Sequence, residues 1–422
     1  MIGLCSPRLD PWCETAGPKR LQDPSGLWML LVLVQYLEKG NVLMQYRKFG
    51  KLDWQVSALG FGCMRLPTRG EDDKDVDVGQ VVRMVRYAID HGVNYVDTGY
   101  FYHGGNSERA LGVALQDGYR ERVVLVDKLP AYEVETHDDL NRVFEEQLER
   151  MQTDHLDLYL LHGIDAPGWQ KLRDLGVIAW AEDQIAKGRI GHLGFSFHDS
   201  FEVFQEIVDA HDKWAMCQIQ YNYLNENTQA GTRGLEYAAA KGLAVAVMEP
   251  LLGGKLANPP QAVQAVWESA LVQRTPVEWA LNWLWHKPEV SVVLSGMSAM
   301  EQVEQNVASA SASGVGMLSD DELALIARAR AEYDGMCPIP CTQCNYCMPC
   351  PNGVDIPRNF GLLNDGAVRL GISWFARNFY GMMPKDARAG ACIQCRECEE
   401  KCPQQIAISA WMPVVHAVLG EG

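Results

Sequence analysis

Two cysteine runs carry the plainest chemistry in this 422-residue chain. The first is Cys341, Cys344, Cys347 and Cys350, closed by Pro351, and the second is Cys392, Cys395, Cys398 and Cys402, closed by Pro403. Three thiolates separated by two residues wrap one corner of an iron–sulfur cubane, and a fourth, displaced by its proline, reaches a second cluster. The spacing therefore predicts two interleaved [4Fe–4S] sites. One would use Cys341, Cys344, Cys347 and Cys402, the other Cys392, Cys395, Cys398 and Cys350. Zinc is the competing reading, but zinc ribbons use paired C-x2-C knuckles rather than a triple run with a trailing Cys-Pro. Nine of the 13 cysteines fall between Cys337 and Cys402, and Cys337 is the one left without a role. Cys63 and Cys217 read as core residues. Clusters and unpaired thiols point to a reducing cytoplasm.

A second set is built for acid–base work: Asp97, Tyr102, Lys128 and His162. A lysine held by a carboxylate and pointing at a phenol favours the phenolate. Such a tyrosine can give a proton to a carbonyl oxygen and take it back. A neutral imidazole can hydrogen-bond the same oxygen and orient it. Each residue alone has a bland explanation: a helix cap, a loop anchor, a solvated charge, a core histidine. Together they need a scaffold that brings four distant positions to one place.

The elements supply one. Short runs continuous in Val, Ile, Leu or aromatics cover residues 57–64, 95–98, 123–129, 156–162, 190–196, 215–221, 243–249 and 290–296. Continuous apolar runs indicate strands buried on both faces, hence a parallel sheet. Amphipathic helical stretches alternate with them at 78–91, 138–151, 169–187, 200–211, 232–241, 277–286 and 300–308, several stopped by Gly92, Gly188 or Gly242. Eight such units predict an α/β fold, a (β/α)8 TIM barrel, with chemistry at the C-terminal strand ends. Asp97, Lys128 and His162 sit at successive strand ends, with Tyr102 just beyond the first. No GxGxxG follows a strand, against a Rossmann domain.

Charge divides the chain in the same places. The formal net charge is −17, and residues 44–335 carry all of it, since residues 1–43 and 336–422 each balance. An acidic body argues against nucleic-acid and membrane-surface partners. Residues 1–43 read as a leader or a mis-called start: the apolar run 27–34 is too short to span a bilayer, and no small-residue cleavage site follows. A Glu38-Lys39-Gly40 stretch before Met44 suits a translated ribosome-binding site. The expected layout is thus 1–43 as leader, 44–335 as barrel and 336–422 as cluster domain, with helices at 357–370 and 372–381. Cys5 and Cys13 fall in the leader.

Residues 46–310 resemble the aldo/keto reductase family, on the motifs LGFGCMRLP (59–67), YVDTGYFYHGGNSERALGVAL (95–115), DLYLLHG (157–163), IGHLGFSFHD (190–199), QIQYNYLN (218–225), EPLLGGKLA (249–257) and LSGMSAMEQVEQN (294–306). The resemblance implies carbonyl reduction, or alcohol oxidation, with NADPH or NADH, and carries the family's tetrad onto Asp97, Tyr102, Lys128 and His162. It places the cofactor against Ser196, Gln218, Gly296, Gln302 and Asn306. The pattern departs in three places. Phe197 stands where the family has Asn, Met248 or Glu249 replaces the stacking aromatic, and the neutral Gly296 and Gln302 occupy positions that are usually basic. A phosphate dianion wants charge-assisted partners, so NADPH is the less supported nucleotide. The cysteine region resembles a dicluster ferredoxin, with a long and helix-rich spacer.

Together these readings predict an iron–sulfur oxidoreductase acting on a small-molecule carbonyl or alcohol, with a redox partner protein in view. One chemical difficulty stands. Nicotinamide moves two electrons as hydride, a [4Fe–4S] cluster moves one, and coupling them normally needs a flavin-like intermediary, for which there is no motif. The alternatives are an electron-transfer protein whose barrel is a docking module, and a redox sensor with structural clusters.

Overall fold

The computed structural model describes residues 43–341, 346–367 and 374–420. The expected leader lies, apart from Leu43, outside the described residues. The described chain starts with a hairpin, β1 (Tyr46–Lys48) and β2 (Gln55–Ser57). Eight parallel strands then close into a barrel: β3 (Leu59–Gly62), β4 (Tyr95–Asp97), β5 (Val124–Pro130), β6 (Leu156–Ile164), β7 (Ile190–Phe197), β8 (Met216–Gln220), β9 (Ala244–Met248) and β10 (Val292–Gly296). The closing pair is β10 with β3, in register from Val293 opposite Leu59 to Gly296 opposite Gly62.

The outer layer is α1 (Val78–Asp90), α2 (Asn106–Ala114), α3 (His137–Met151), α4 (Ala166–Asp174), α5 (Val177–Ala186), α6 (Phe201–Asp209), α7 (Gly231–Ala240), α8 (Gln261–Glu268), α9 (Pro276–Trp285), α10 (Met300–Ser311) and α11 (Asp320–Gly335). The stretch 169–187, expected as one helix, is two. Gly176 takes φ 75°, which only glycine adopts cheaply, and the chain turns there from α4 into α5.

The barrel interior is filled by alternating strand residues such as Tyr95, Val126, Leu158, Leu160, Met216, Ala246 and Leu294. Gly60 makes room for them: a Cβ there would come within 2.6 Å of Leu294 and 3.0 Å of Tyr95. The hairpin plugs the N-terminal end of the strands. Phe49 packs with Tyr95 in the interior, and Arg47 donates to the carbonyls of Val290 (2.7 Å), Lys287 (3.0 Å) and Trp285. Those carbonyls follow or end α9, where helix geometry leaves acceptors unpaired. Outside the barrel, Trp267 of α8 stacks on Trp279 of α9 with centroids 5.3 Å apart and planes 15° apart. Arg274 caps that stack, and Tyr223, after β8, meets it edge-on.

Beyond α11 lies a smaller helical domain with its own core: α12 (Ile356–Ala367), α13 (Trp374–Met382), the short α14 (Glu397–Glu400) and α15 (Ile408–Gly420). Both helices expected in the spacer are present, and residues 368–373 between them lie outside the described residues. Asn359 ties the domain together, donating to the Asp355 and Ala387 carbonyls and accepting from the Ala389 amide.

Candidate active site and cluster sites

The four acid–base residues meet at the C-terminal end of the barrel. Lys128 Nζ lies 2.6 Å from Asp97 Oδ1, with both side chains buried, and also donates to the Thr98 carbonyl. The same ammonium is 5.1 Å from the centre of the Tyr102 ring. The Tyr102 and His162 rings stand edge to face at 5.7 Å.

Burial opposes a charge on Lys128, but Asp97 and Tyr102 outweigh it and hold the ammonium above its ordinary value. Burial also raises Asp97, with Lys128 pulling back. Burial, helped by Lys128 and His198, pushes His162 well below the usual imidazole range, so the ring is neutral as the sequence suggested. Tyr102 differs from expectation. Lys128 does pull its phenol down, yet the enclosure of the ring is the stronger influence, and the net direction is up.

A polar network behind the strands fixes Lys128. Its amide donates to Asp127 Oδ1 at 2.8 Å, while Gln147 Nε2 on α3 donates to Asp127 Oδ2 (2.7 Å) and to the Lys128 carbonyl (3.0 Å). Arg150 pairs with the buried Glu108 at 2.7 Å and holds the Tyr100 carbonyl, two residues before Tyr102. Sequence reasoning missed these supports. Their only signal was polar residues at otherwise apolar, core-facing positions.

The expected nucleotide contacts fall into two groups. Ser196 and Gln218 lie side by side, paired in register at the ends of β7 and β8. Gly296, Gln302 and Asn306 gather where β10 passes into α10. There Asn306 donates to Ser295 Oγ at 3.0 Å, and Gln302 accepts from the Ser298 amide at 2.8 Å. A cation does reach this corner, though not from after β10. The stem of Arg65, following β3, lies against Gly296, and its guanidinium is 3.8 Å from Glu249. At the barrel mouth three buried polar atoms have no partner: Asp97 Oδ2, His162 Nδ1 and Gln218 Oε1. Buried polar atoms are normally satisfied, so this trio suits a bound molecule with amide and carbonyl groups. Phe101 stacks on His162 at 4.9 Å and, with Tyr132, gives the mouth an exposed aromatic rim.

In the small domain, Cys341 and Cys347 of the first run and Cys402 of the second line one cavity with Ile356, Phe360 and Ile406. Cys344 lies outside the described residues. The thiols stand around a space rather than at a point, and among the described residues no three ligands converge on a lone metal ion. The donor set of this apolar hollow matches an iron–sulfur cluster, whose ligands are thiolates. Cys392 accepts the Gln394 amide at 3.4 Å, and both Cys392 and Cys395 act electrostatically on Cys398, so these three also converge. Cys350 packs at the edge of the same core. Cys337 stands apart, bonded through Sγ to the Tyr333 carbonyl. Cys63 and Cys217 are buried in the barrel.

Comparison with known proteins fits both halves. The Aldo/keto reductase family profile matches residues 58–331, and a 4Fe-4S dicluster domain profile matches residues 340–407. L-galactose dehydrogenase of Arabidopsis thaliana is 28% identical over 295 residues, 63% of this chain and 88% of that protein. The 6-dehydroglucose reductase of Novosphingobium aromaticivorans is 27% identical over 313 residues, 68% of this chain and 96% of that protein. Among solved structures, the holo form of an aldo-keto reductase from Bacillus halodurans shares 25% identity with a TM-score of 0.56, covering 68% of this chain and 96% of its own. One from Klebsiella pneumoniae in complex with NADP and acetate shares 26% with a TM-score of 0.54, covering 68% and 95%. No helix among the described residues is long and apolar enough to cross a membrane. The barrel, the four residues at its mouth and the profile match agree: this chain is an oxidoreductase belonging to the aldo/keto reductase family, with a 4Fe–4S dicluster domain following its barrel.

Proposed function

We propose that the barrel reduces a small-molecule carbonyl, or oxidises the corresponding alcohol, with Tyr102 as the proton donor. The reading rests on one observation, the buried Lys128–Asp97 pair set beneath the Tyr102 ring beside a neutral His162. When bound, NADPH or NADH would supply the hydride. Ser196 and Gln218 would hold its carboxamide, with Gly296, Gln302 and Asn306 toward the adenine end. Tyr102 gives its proton to the substrate oxygen, and Lys128 stabilises the phenolate left behind. That matters because enclosure alone disfavours a charged phenol. Asp97 keeps Lys128 in place and charged. His162, uncharged, donates a hydrogen bond to the same oxygen and fixes its direction.

The cysteines would hold two [4Fe–4S] clusters in the interleaved arrangement, passing electrons to a partner protein or to the barrel. Residues 44–335 and 336–422 form the two working domains in this reading, and a reducing cytoplasm suits the thiols. A second reading is supported by Phe197, Gly296 and Gln302, where family contacts to the nucleotide are lost. In that reading the barrel is a docking or sensing module for an electron-transfer protein.

One experiment separates them. The protein is purified anaerobically and titrated with NADH and NADPH while nucleotide fluorescence and cluster absorbance are followed together. Nucleotide binding with carbonyl turnover that Y102F abolishes supports the first reading. Clusters that accept electrons only from a ferredoxin-like donor, with neither nucleotide bound, would establish the second.

A further inference from the structure

The turn that carries Tyr102 has an uncommon backbone. His103, Gly104 and Gly105 all lie in the left-handed region, at φ 53°, 63° and 87°. Glycine takes this conformation freely, but a histidine there needs something to hold it. Its imidazole makes two hydrogen bonds to the segment after β3. The Leu66 amide donates to Nε2 at 3.0 Å, and Nδ1 is bonded to the Asp73 carbonyl. An amide must donate and a carbonyl must accept, so Nε2 is bare, Nδ1 carries the proton and the ring is neutral.

Residues 66–77 form a flap closed on itself. Thr68 bridges Val76, the Arg69 amide donates to the Asp75 carbonyl at 2.9 Å, and the Asp77 amide donates to that of Pro67 at 2.8 Å. Two further contacts join the flap to the Tyr102 turn. Asn106 Nδ2 donates to the Lys74 carbonyl at 2.8 Å, and the Lys74 stem lies 3.2 Å from where a Cβ on Gly104 would stand. His103 bonds both the flap's root, Leu66, and its tip, Asp73.

We propose that His103 is a positioning residue that clamps flap 66–77 onto the Tyr102 turn when neutral and loosens the flap's root when protonated. A proton taken from solvent at Nε2 turns the acceptor into a donor facing the Leu66 amide, and that hydrogen bond is lost. The bond to Asp73 survives, since Nδ1 keeps its proton. The charged groups around the clamp are Asp72, Asp73, Lys74 and Asp75 on the flap, Arg65 at its root, and Glu108 with Arg150 on the side of α2 and α3. The Asp72 carboxylate accepts the Lys74 amide at 3.0 Å, Arg65 reaches Glu249 at 3.8 Å, and Arg150 pairs with Glu108. The flap's acids attract an imidazolium, so the change is a freed root rather than a detached flap. Tyr102, one residue from the clamp, loses its fixed neighbour.

Hydrogen exchange of the full chain tests this without turnover. The inference takes from the proposed function only that Tyr102 is the working group. The Leu66 amide is followed at about pH 8 and about pH 5, with intrinsic exchange rates divided out. Its protection falls about tenfold at the lower pH, as the loss of one hydrogen bond requires, while the Arg69 and Asp77 amides inside the flap do not change. In H103N, where asparagine tolerates the left-handed backbone and cannot titrate, protection at Leu66 is already low and independent of pH. H103Q gives a second non-titrating variant. Protection at Leu66 that ignores pH in the native protein, or that follows pH equally in H103N, overturns the clamp. A pH-dependent clamp in a protein without carbonyl turnover would sink the enzyme reading and leave the clamp standing.

Discussion

The barrel mouth and the cysteine domain solve opposite problems. At the mouth, buried ionisable groups find partners within the chain itself: Lys128 with Asp97, Glu108 with Arg150, Asp127 with Gln147. The site is assembled before any ligand arrives. In the cysteine domain the thiols ring an apolar hollow. Among the described residues the lining is almost wholly apolar apart from the thiols and Gln404. The difference teaches where each half draws its stability. The barrel mouth is held by its own polar network, and in the proposed reading the small domain gains stability from its guest, the clusters.

The largest effect should come from taking that guest away. With iron chelated under reducing conditions, the small domain is expected to lose a stabilisation on the order of 10 kcal/mol, as structural metal sites do. Amide protection in α12 and α15 would collapse while the barrel strands stay protected, and equal loss in both halves would break the contrast. Y102F should cut kcat/KM for carbonyl reduction by about 10²- to 10⁴-fold, the usual worth of a positioned proton donor. Its urea unfolding should be nearly unchanged. K128M tests the self-sufficiency of the mouth from the other side. It leaves Asp97 buried and unpaired, which costs about 3–5 kcal/mol in urea unfolding. A loss under about 1 kcal/mol would mean that the pair is not as enclosed as its geometry says.

Two smaller effects sharpen the picture. His162 is held neutral in the folded chain while an unfolded histidine takes up a proton near pH ~6.5. The unfolded state then binds more protons, and stability falls as pH drops below that value, by up to about 1.4 kcal/mol per pH unit. H162N should remove that share of the slope and leave the part due to His198, whose imidazole burial also lowers. Last, Q218A removes one of the unpartnered atoms at the mouth, and should weaken nucleotide binding by about tenfold in a fluorescence titration. An unchanged affinity would place the carboxamide elsewhere.

Much of this was legible in the sequence. The eight barrel strands fall within two residues of the apolar runs at every end, because a strand buried on both faces must be apolar throughout. The meeting of Asp97, Tyr102, Lys128 and His162 was readable because strand ends mark the mouth of any such barrel. The cysteine runs were readable as a dicluster pattern, in line with the profile match over 340–407, because such spacing is local. The unread parts have several causes. α2 begins directly after three left-handed residues, which mask its helical start. The hairpin strands of Tyr46–Lys48 and Gln55–Ser57 are too short for periodicity to register. Gln147 and Arg150 act on Lys128 and Tyr100 from α3, and Arg65 reaches Gly296 from the far end of the barrel sequence. Contacts between positions so far apart leave no trace in local spacing.

The stacked indoles of Trp267 and Trp279 have an optical consequence. Indoles 5.3 Å apart share their excited states, and the ultraviolet circular dichroism of such a pair depends on the twist between their transition dipoles. Tyr223, which leaves the end of β8, rests on one of them. The chain therefore carries a native reporter beside its barrel mouth, one whose signal would change amplitude when a ligand shifts the loop after β8, with no dye attached and no turnover required.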